Sequence, residues 1–200
     1  MIKLLKHIYR LLTKVKNWFD SYFRNFFYFL FPNKLNLLRN RIIYGSLPVF
    51  QQITLCQGKG IVEIGNNCSF GYKIGGFNRR GSIELQARYR KSIIKIGNNI
   101  ATNNNIFICA ANYIEIGDDT LIGQYVVIVD HEAHGIAPLK RRQLGKIGKV
   151  IIGRNVSLGN NVNILKNSEI GENTIVATGA VVAGIFPSNV IIGGVPAKII

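Results

Sequence analysis

Branched or apolar residues stand six apart at Ile152, Leu158, Ile164, Ile170, Val176 and Val182. The same phase recurs at Ile96, Thr102 and Ile108, at Ile116, Ile122 and Ile128, and more weakly at Ile64 and Phe70. A spacing of six fits neither an amphipathic helix nor strand alternation. It fits a triangular solenoid in which each side takes six residues and turns one branched side chain inward. Three sides make a coil of 18, so Ile152 is expected to stack on Ile170, Leu158 on Val176 and Ile164 on Val182. Glycine and asparagine after the inward residue (Gly65, Gly97, Gly117, Gly153, Gly171; Asn66-Asn67, Asn98-Asn99, Asp118-Asp119, Arg154-Asn155, Glu172-Asn173) suit corners with left-handed backbone. The phase slips twice. Two extra residues fall between Ile108 and Ile116, and a polar excursion runs over 129–149; insertions in a solenoid become loops at one edge, where function often resides.

The first 45 residues have another character. Leu4, Leu5, Ile8, Leu11, Leu12, Val15, Trp18, Phe19 and Tyr22 follow helical spacing, with Lys3, Lys6, His7, Arg10, Lys14 and Lys16 on the other face. An aromatic run, Phe26 to Phe31, precedes Pro32. Nine basic side chains against one acid give this stretch +8 of the chain's formal +15. No signal-peptide pattern is visible, and Arg24-Asn25 interrupts any run long enough to span a bilayer. A basic amphipathic helix with an aromatic knob suits the surface of an anionic membrane; packing of its apolar face on the repeat domain or in an oligomer interface is the alternative. Nucleic acid is a poor candidate partner, because no recognition signature accompanies the charge. The division expected is an N-terminal segment over 1–45 and a repeat domain over 46–200. Three cysteines, Cys56, Cys68 and Cys109, with no C-x-x-C, read as reduced, partly buried thiols.

The stretch from Ile96 to Ile200 resembles the hexapeptide-repeat acetyltransferases, which include the galactoside and maltose acetyltransferases and those of bacterial surface polysaccharides. The resemblance rests on Asp130-His131-Glu132-Ala133-His134-Gly135, on Ile151 through Gly159, and on the ending Gly193-Gly194-Val195-Pro196-Ala197-Lys198. It implies an all-β solenoid, a left-handed parallel β-helix with an N-terminal amphipathic helical segment, assembled as a homotrimer with sites between subunits. It implies acetyl-CoA as acyl donor, without a metal. The chemistry needs a base for the acceptor hydroxyl and donors for the oxyanion. By resemblance His131 is the catalytic histidine, His134 a loop residue, and Asn103 a contact to the acceptor hydroxyl. Asp130 or Glu132 could orient the imidazole, although strand neighbours point to opposite faces. Gly159 and Asn160 match the position that approaches the thioester, Ala177-Thr178-Gly179 the backbone that binds the pantetheine arm, and Lys198 a basic residue meeting the cofactor's phosphates. Ser157 stands where the family commonly has tryptophan, and Ala177-Thr178-Gly179-Ala180 where it has G-A-G-S.

The activity these features imply is O-acetylation of a sugar hydroxyl on a bacterial surface polysaccharide or its lipid-linked precursor, in the cytoplasm or peripherally at the inner face of the membrane. N-acylation of an amino sugar and a non-catalytic trimeric scaffold are the alternatives. A zinc carbonic anhydrase on the same fold needs three histidines around one metal, and only His131 and His134 lie in the repeat domain.

Overall fold

The computed structural model describes residues 2–78 and 80–200, without the side chains of residues 2–5, 8 and 18. Strands from Ile42 onward wind through seven coils and pair coil to coil into three parallel sheets. The first coil comprises Ile42–Tyr44, Val49–Phe50 and Thr54–Gly58, one strand on each of faces one, two and three. The hexad phase is the register of the solenoid: Ile152 pairs with Ile170, Leu158 with Val176 and Ile164 with Val182. Upstream, Ile116 pairs with Ile96, Ile122 with Thr102 and Ile128 with Ile108. These apolar positions are buried and form one continuous core; burying each Ile, Leu or Val contributes roughly 1.5–3 kcal/mol. A final antiparallel strand, Ala197–Ile199, folds back on Ile191–Gly194 along face two.

The corners divide the labour between glycine and asparagine differently from the sequence expectation. The left-handed residue is the third after the inward one: Asn67, Asn99, Asp119, Asn155 and Asn173 all have φ near +60°. Glycine directly after the inward residue is needed instead for close stacking; a Cβ on Gly153 would lie 2.7 Å from the Glu172 backbone nitrogen. The asparagines also form a ladder up the corner between faces one and two. Asn99 Nδ2 donates to Asp119 at 2.8 Å, Asn155 to Asn173 at 2.9 Å and Asn173 to Asn189 at 3.0 Å.

A loop over 72–82, a third interruption of the hexad phase, leaves the corner between faces two and three in the second coil. Asn104 fastens it: its Oδ1 accepts from Tyr72 N at 2.9 Å, and its Nδ2 donates to the Tyr72 and Gly76 carbonyls. A larger loop over 130–148 leaves the corner between faces three and one in the fourth coil.

Ahead of the coils, a helix over Ile2–Asn25 continues into a π-helical turn, Phe26–Leu30, and a short helix, Lys34–Leu38. The aromatic run is split in use. Phe29 is buried and stacks on Phe50 at 4.1 Å between centroids, which in turn stacks on Phe70 at 5.5 Å; Phe26, Phe27 and Phe31 stay exposed. Asn25 and Asn33 cap the open edge of the first coil. Asn25 Oδ1 accepts from Phe50 N, while Asn33 accepts from Cys56 N at 2.7 Å and donates to Thr54 O at 2.7 Å. The Leu11, Leu12, Val15, Phe19 and Tyr22 side chains of the long helix are exposed; Lys3, Leu4, Leu5, Ile8 and Trp18, expected on its two faces, lie outside the described side chains. No helix among the described residues is long and apolar enough to cross a membrane.

Candidate active site

Strand Val127–Val129 runs along face three of the fourth coil, and the chain leaves the solenoid immediately after it. Asp130 is fully buried at that exit. Its Oδ1 accepts from Ala111 N at 2.7 Å, and its Oδ2 from Asn112 N and Tyr113 N at 2.8 Å each. These three amides span the corner where the third coil passes into the fourth, at the two-residue slip after Ile108. A buried carboxylate surrounded by donors satisfies its desolvation cost through charge-assisted bonds. The remaining contact of Oδ1 is His131 Nδ1, at 2.8 Å. Because the carboxylate accepts, Nδ1 carries the proton, and the lone pair lies on Nε2. His131 has a side chain only 1% exposed. Its Nε2 faces Arg88 Nη1 at 3.5 Å.

Of the two acids left open by the sequence, Asp130 is therefore the one that orients the imidazole. Glu132 binds the loop: its Oε2 accepts from Lys146 N at 3.0 Å, and its Oε1 lies 3.2 Å from Lys166 Nζ. His134 is exposed and its Nδ1 meets the Arg141 carbonyl at 2.9 Å, a contact internal to the excursion.

The other residues singled out by sequence lie elsewhere on the prism. Asn103, Gly159, Asn160, Ala177, Thr178 and Gly179 all line the corner between faces two and three, whereas His131 lies at the corner between three and one. Asn160 ties two coils there: its Oδ1 accepts from Gln124 N and its carbonyl from Gly179 N, both at 2.8 Å. Gly159 has no room for a side chain, since a Cβ would lie 2.6 Å from Thr178 N. Gly179, at φ +76°, faces open space. This corner thus presents small residues and accessible backbone, a surface that an extended chain such as a pantetheine arm can follow. Asn103 Oδ1 accepts from Asn104 N at 2.8 Å, and Gly75 of the 72–82 loop packs against its side chain. Lys198 is exposed on the terminal strand, opposite Gly193 of face two. One chain does not bring His131 together with these residues.

Strand alternation does not choose between Asp130 and Glu132, and it does not bear on Asp130, which stands past the strand's end. Arg88 carried no motif; its only signal was the basic corner Arg88-Tyr89-Arg90-Lys91. The thiols offer no nucleophile: Cys56, Cys68 and Cys109 are buried, and burial pushes Cys109 up to about 11 and Cys56 further. Among the described residues no group of three or more histidine, cysteine or acidic side chains could hold a metal ion.

A family model described as bacterial transferase hexapeptide (six repeats) matches residues 149–184. The Escherichia coli (strain K12) protein WbbJ, named as a lipopolysaccharide biosynthesis O-acetyl transferase, is 30% identical over 176 residues, covering 82% of this chain and 84% of WbbJ. Among solved structures, a mutant of AntD, an N-acyltransferase from Bacillus cereus in complex with dTDP and coenzyme A, superposes with a TM-score of 0.61 at 19% identity, covering 84% of this chain and 87% of AntD. NeuO, a polySia-specific acetyltransferase, also gives 0.61, at 20% identity over 80% of this chain and 65% of its own. With the hexad register, the buried Asp130–His131 pair and a relative of that identity and coverage all in agreement, the chain belongs to the hexapeptide-repeat acetyltransferase family.

Proposed function

We propose that the protein transfers an acetyl group from acetyl-CoA to a hydroxyl of a saccharide in a bacterial surface glycan or its precursor. The observation that carries this reading is the Asp130–His131 pair, which leaves Nε2 as a base at the edge of a loop. Nε2 takes the acceptor hydroxyl proton, the hydroxyl oxygen is thereby able to attack a carbonyl carbon, and the imidazolium returns the proton to the leaving sulfur. Asp130 holds the ring and stabilises its charged form during that interval. Acetyl-CoA supplies the activated acyl carbon when bound. Gly159 and Asn160 are the candidates for donors at the developing oxyanion, Ala177, Thr178 and Gly179 for the pantetheine backbone contacts, Lys198 for the phosphates and Asn103 for the acceptor hydroxyl. Asn103 Nδ2 makes no hydrogen bond among the described residues, which keeps it available for that contact.

In this reading the coils wind left-handed, as the family implies, and the chain is a homotrimer. Support for the assembly comes from the split of the candidate residues between two corners. A base on one corner and a cofactor track on another serve one reaction only if neighbouring chains bring them face to face; a solution mass of three chains is expected from sedimentation. In the same reading the protein is cytoplasmic, with the basic N-terminal helix as the element that would bring it to the inner face of the membrane.

His131→Ala should lower acetyl transfer about 100-fold or more, the scale of losing a general base, while His134→Ala does less. The test is release of free thiol from acetyl-CoA in the presence of glycan extract, with the product then exposed to mild alkali. Retention of wild-type rates by His131→Ala would remove the mechanism. An alkali-stable product would show amide rather than ester formation and turn the reading to N-acylation.

A further inference from the structure

At the same corner of the solenoid as His131, toward its N-terminal end, lies a cleft of about 500 Å³ whose lining among the described residues includes Arg39, Arg41, Lys59 and Arg88 and no acidic residue. Among the described residues none of these four cations has a carboxylate within ion-pairing distance. Successive coils lead from the cleft to the base. Arg41 Nη1 donates to Gly58 O at 3.2 Å, Lys59 N to Arg88 O at 3.3 Å and Arg88 N to Ala110 O at 2.9 Å; Ala111 then donates to Asp130. The corners of Lys59 and His131 are three coil rises apart, about 14 Å of backbone. Long side chains reach into that span, and Arg88 already reaches from the cleft to His131 Nε2.

Four uncompensated cations gathered at one end of the site raise the local concentration of a multiply charged anion, and arginine forks match phosphate oxygens. Resting on the acetyltransferase reading above, we propose that the acceptor is a glycosyl diphosphate: the diphosphate sits among Arg39, Arg41, Lys59 and Arg88, and the sugar it carries extends toward His131. Arg88 links the two functions. With the cleft free of anion its guanidinium lies against Nε2; a diphosphate competes for that guanidinium and draws it away, so that the acceptor's own charge uncovers the base. Two sources share this chemistry, a soluble nucleotide-diphosphate sugar and a sugar on a polyprenyl diphosphate. The cleft is walled by residues of the 32–41 stretch, which follows the π-helical turn Phe26–Leu30 and includes the short helix Lys34–Leu38.

The test uses the full chain and inorganic pyrophosphate, titrated calorimetrically, with coenzyme A titrated separately. Pyrophosphate should bind, and the double variant Arg41→Gln/Lys59→Gln should weaken it at least 10-fold while coenzyme A affinity, melting temperature and solution mass hold. Wild-type pyrophosphate affinity in that variant overturns the proposal. So does an equal loss of coenzyme A affinity, which would assign the cleft to the donor, or a changed oligomeric mass, which would assign it to an interface. A wild-type protein that turns over acetyl-CoA but ignores pyrophosphate overturns the diphosphate cleft alone. One that binds pyrophosphate but leaves acetyl-CoA intact overturns the acetyltransferase reading instead. Displacement of pyrophosphate by UDP-glucose or by geranylgeranyl diphosphate in neutral vesicles supports the proposal in either case and tells the soluble source from the lipid-linked one.

Discussion

At the scale of single residues, the weight falls on Asp130, which ties neighbouring coils and, in the proposed mechanism, also holds the base. Three backbone amides and one imidazole converge on its two oxygens. Asp130→Asn keeps the shape but replaces one acceptor oxygen by an amide donor. It sets a donor against either the imidazole or the amides of residues 111–113. The expected result is a loss of kcat by about 100-fold or more, since the imidazole is then free to take the wrong tautomer, together with about 1.5–3 kcal/mol of stability for each charged hydrogen bond forfeited. Kinetics beside a denaturant titration check both. An active, destabilised protein would reduce Asp130 to a structural acid. The contrast with His131 shows where sequence stops informing. The histidine was recognisable from its motif and from its place where the phase breaks. The choice of partner between Asp130 and Glu132 was not, because the amides that select Asp130 come from 17 to 19 residues upstream and meet it only once coils stack.

Among elements, the solenoid was largely legible and its ends were not. Inward residues at a fixed interval reveal their own register, since every coil repeats the same burial demand. The 72–82 loop interrupts the repeat only once and is held by Asn104, which in the sequence looks like one more corner asparagine. The cap is likewise aperiodic. A first coil exposes unpaired strand edges and the open end of the core, and terminal units of a solenoid must cover both. Here Phe29 closes the core and Asn33 satisfies the edge of face three. Phe29→Ala should therefore cost about 3–5 kcal/mol, and Asn33→Ala about 1–3 kcal/mol for the buried groups left unsatisfied. Phe27→Ala, on an exposed ring of the same run, should change the unfolding midpoint little. Equal midpoints for Phe29→Ala and Phe27→Ala would mean that the aromatic run does not cap the core.

At the scale of the whole molecule, a cluster of basic charge and a run of exposed apolar side chains coincide at the N-terminal end. The helix over Ile2–Asn25 carries Lys6, Arg10, Lys14, Lys16 and Arg24 with one acid, Asp20, while Leu11, Leu12, Val15, Phe19, Tyr22 and Phe23 are exposed. Phe26, Phe27 and Phe31 extend that surface to the edge of the cap. Apolar exposure on this scale marks an interaction surface, and the basic flank fits an anionic bilayer better than a neutral protein face. Each basic side chain near such a surface contributes on the order of 1 kcal/mol, and salt screens most of it beyond a Debye length of about 8–10 Å. Full-length protein should accordingly sediment with vesicles containing anionic lipid at low salt, sediment much less with neutral vesicles, and be released from the anionic ones by high salt. The control follows from where packing begins. A chain starting at Ser21 keeps Asn25, Phe29 and Asn33, so it should retain the melting temperature of the full chain while losing vesicle binding. A chain starting at Gly45 should lose both, because the cap goes with the helix. If the full-length protein stays in the supernatant with anionic vesicles at low salt, the exposed helix is covered by another copy of the chain, and the truncation at Ser21 should then lower the oligomeric mass instead.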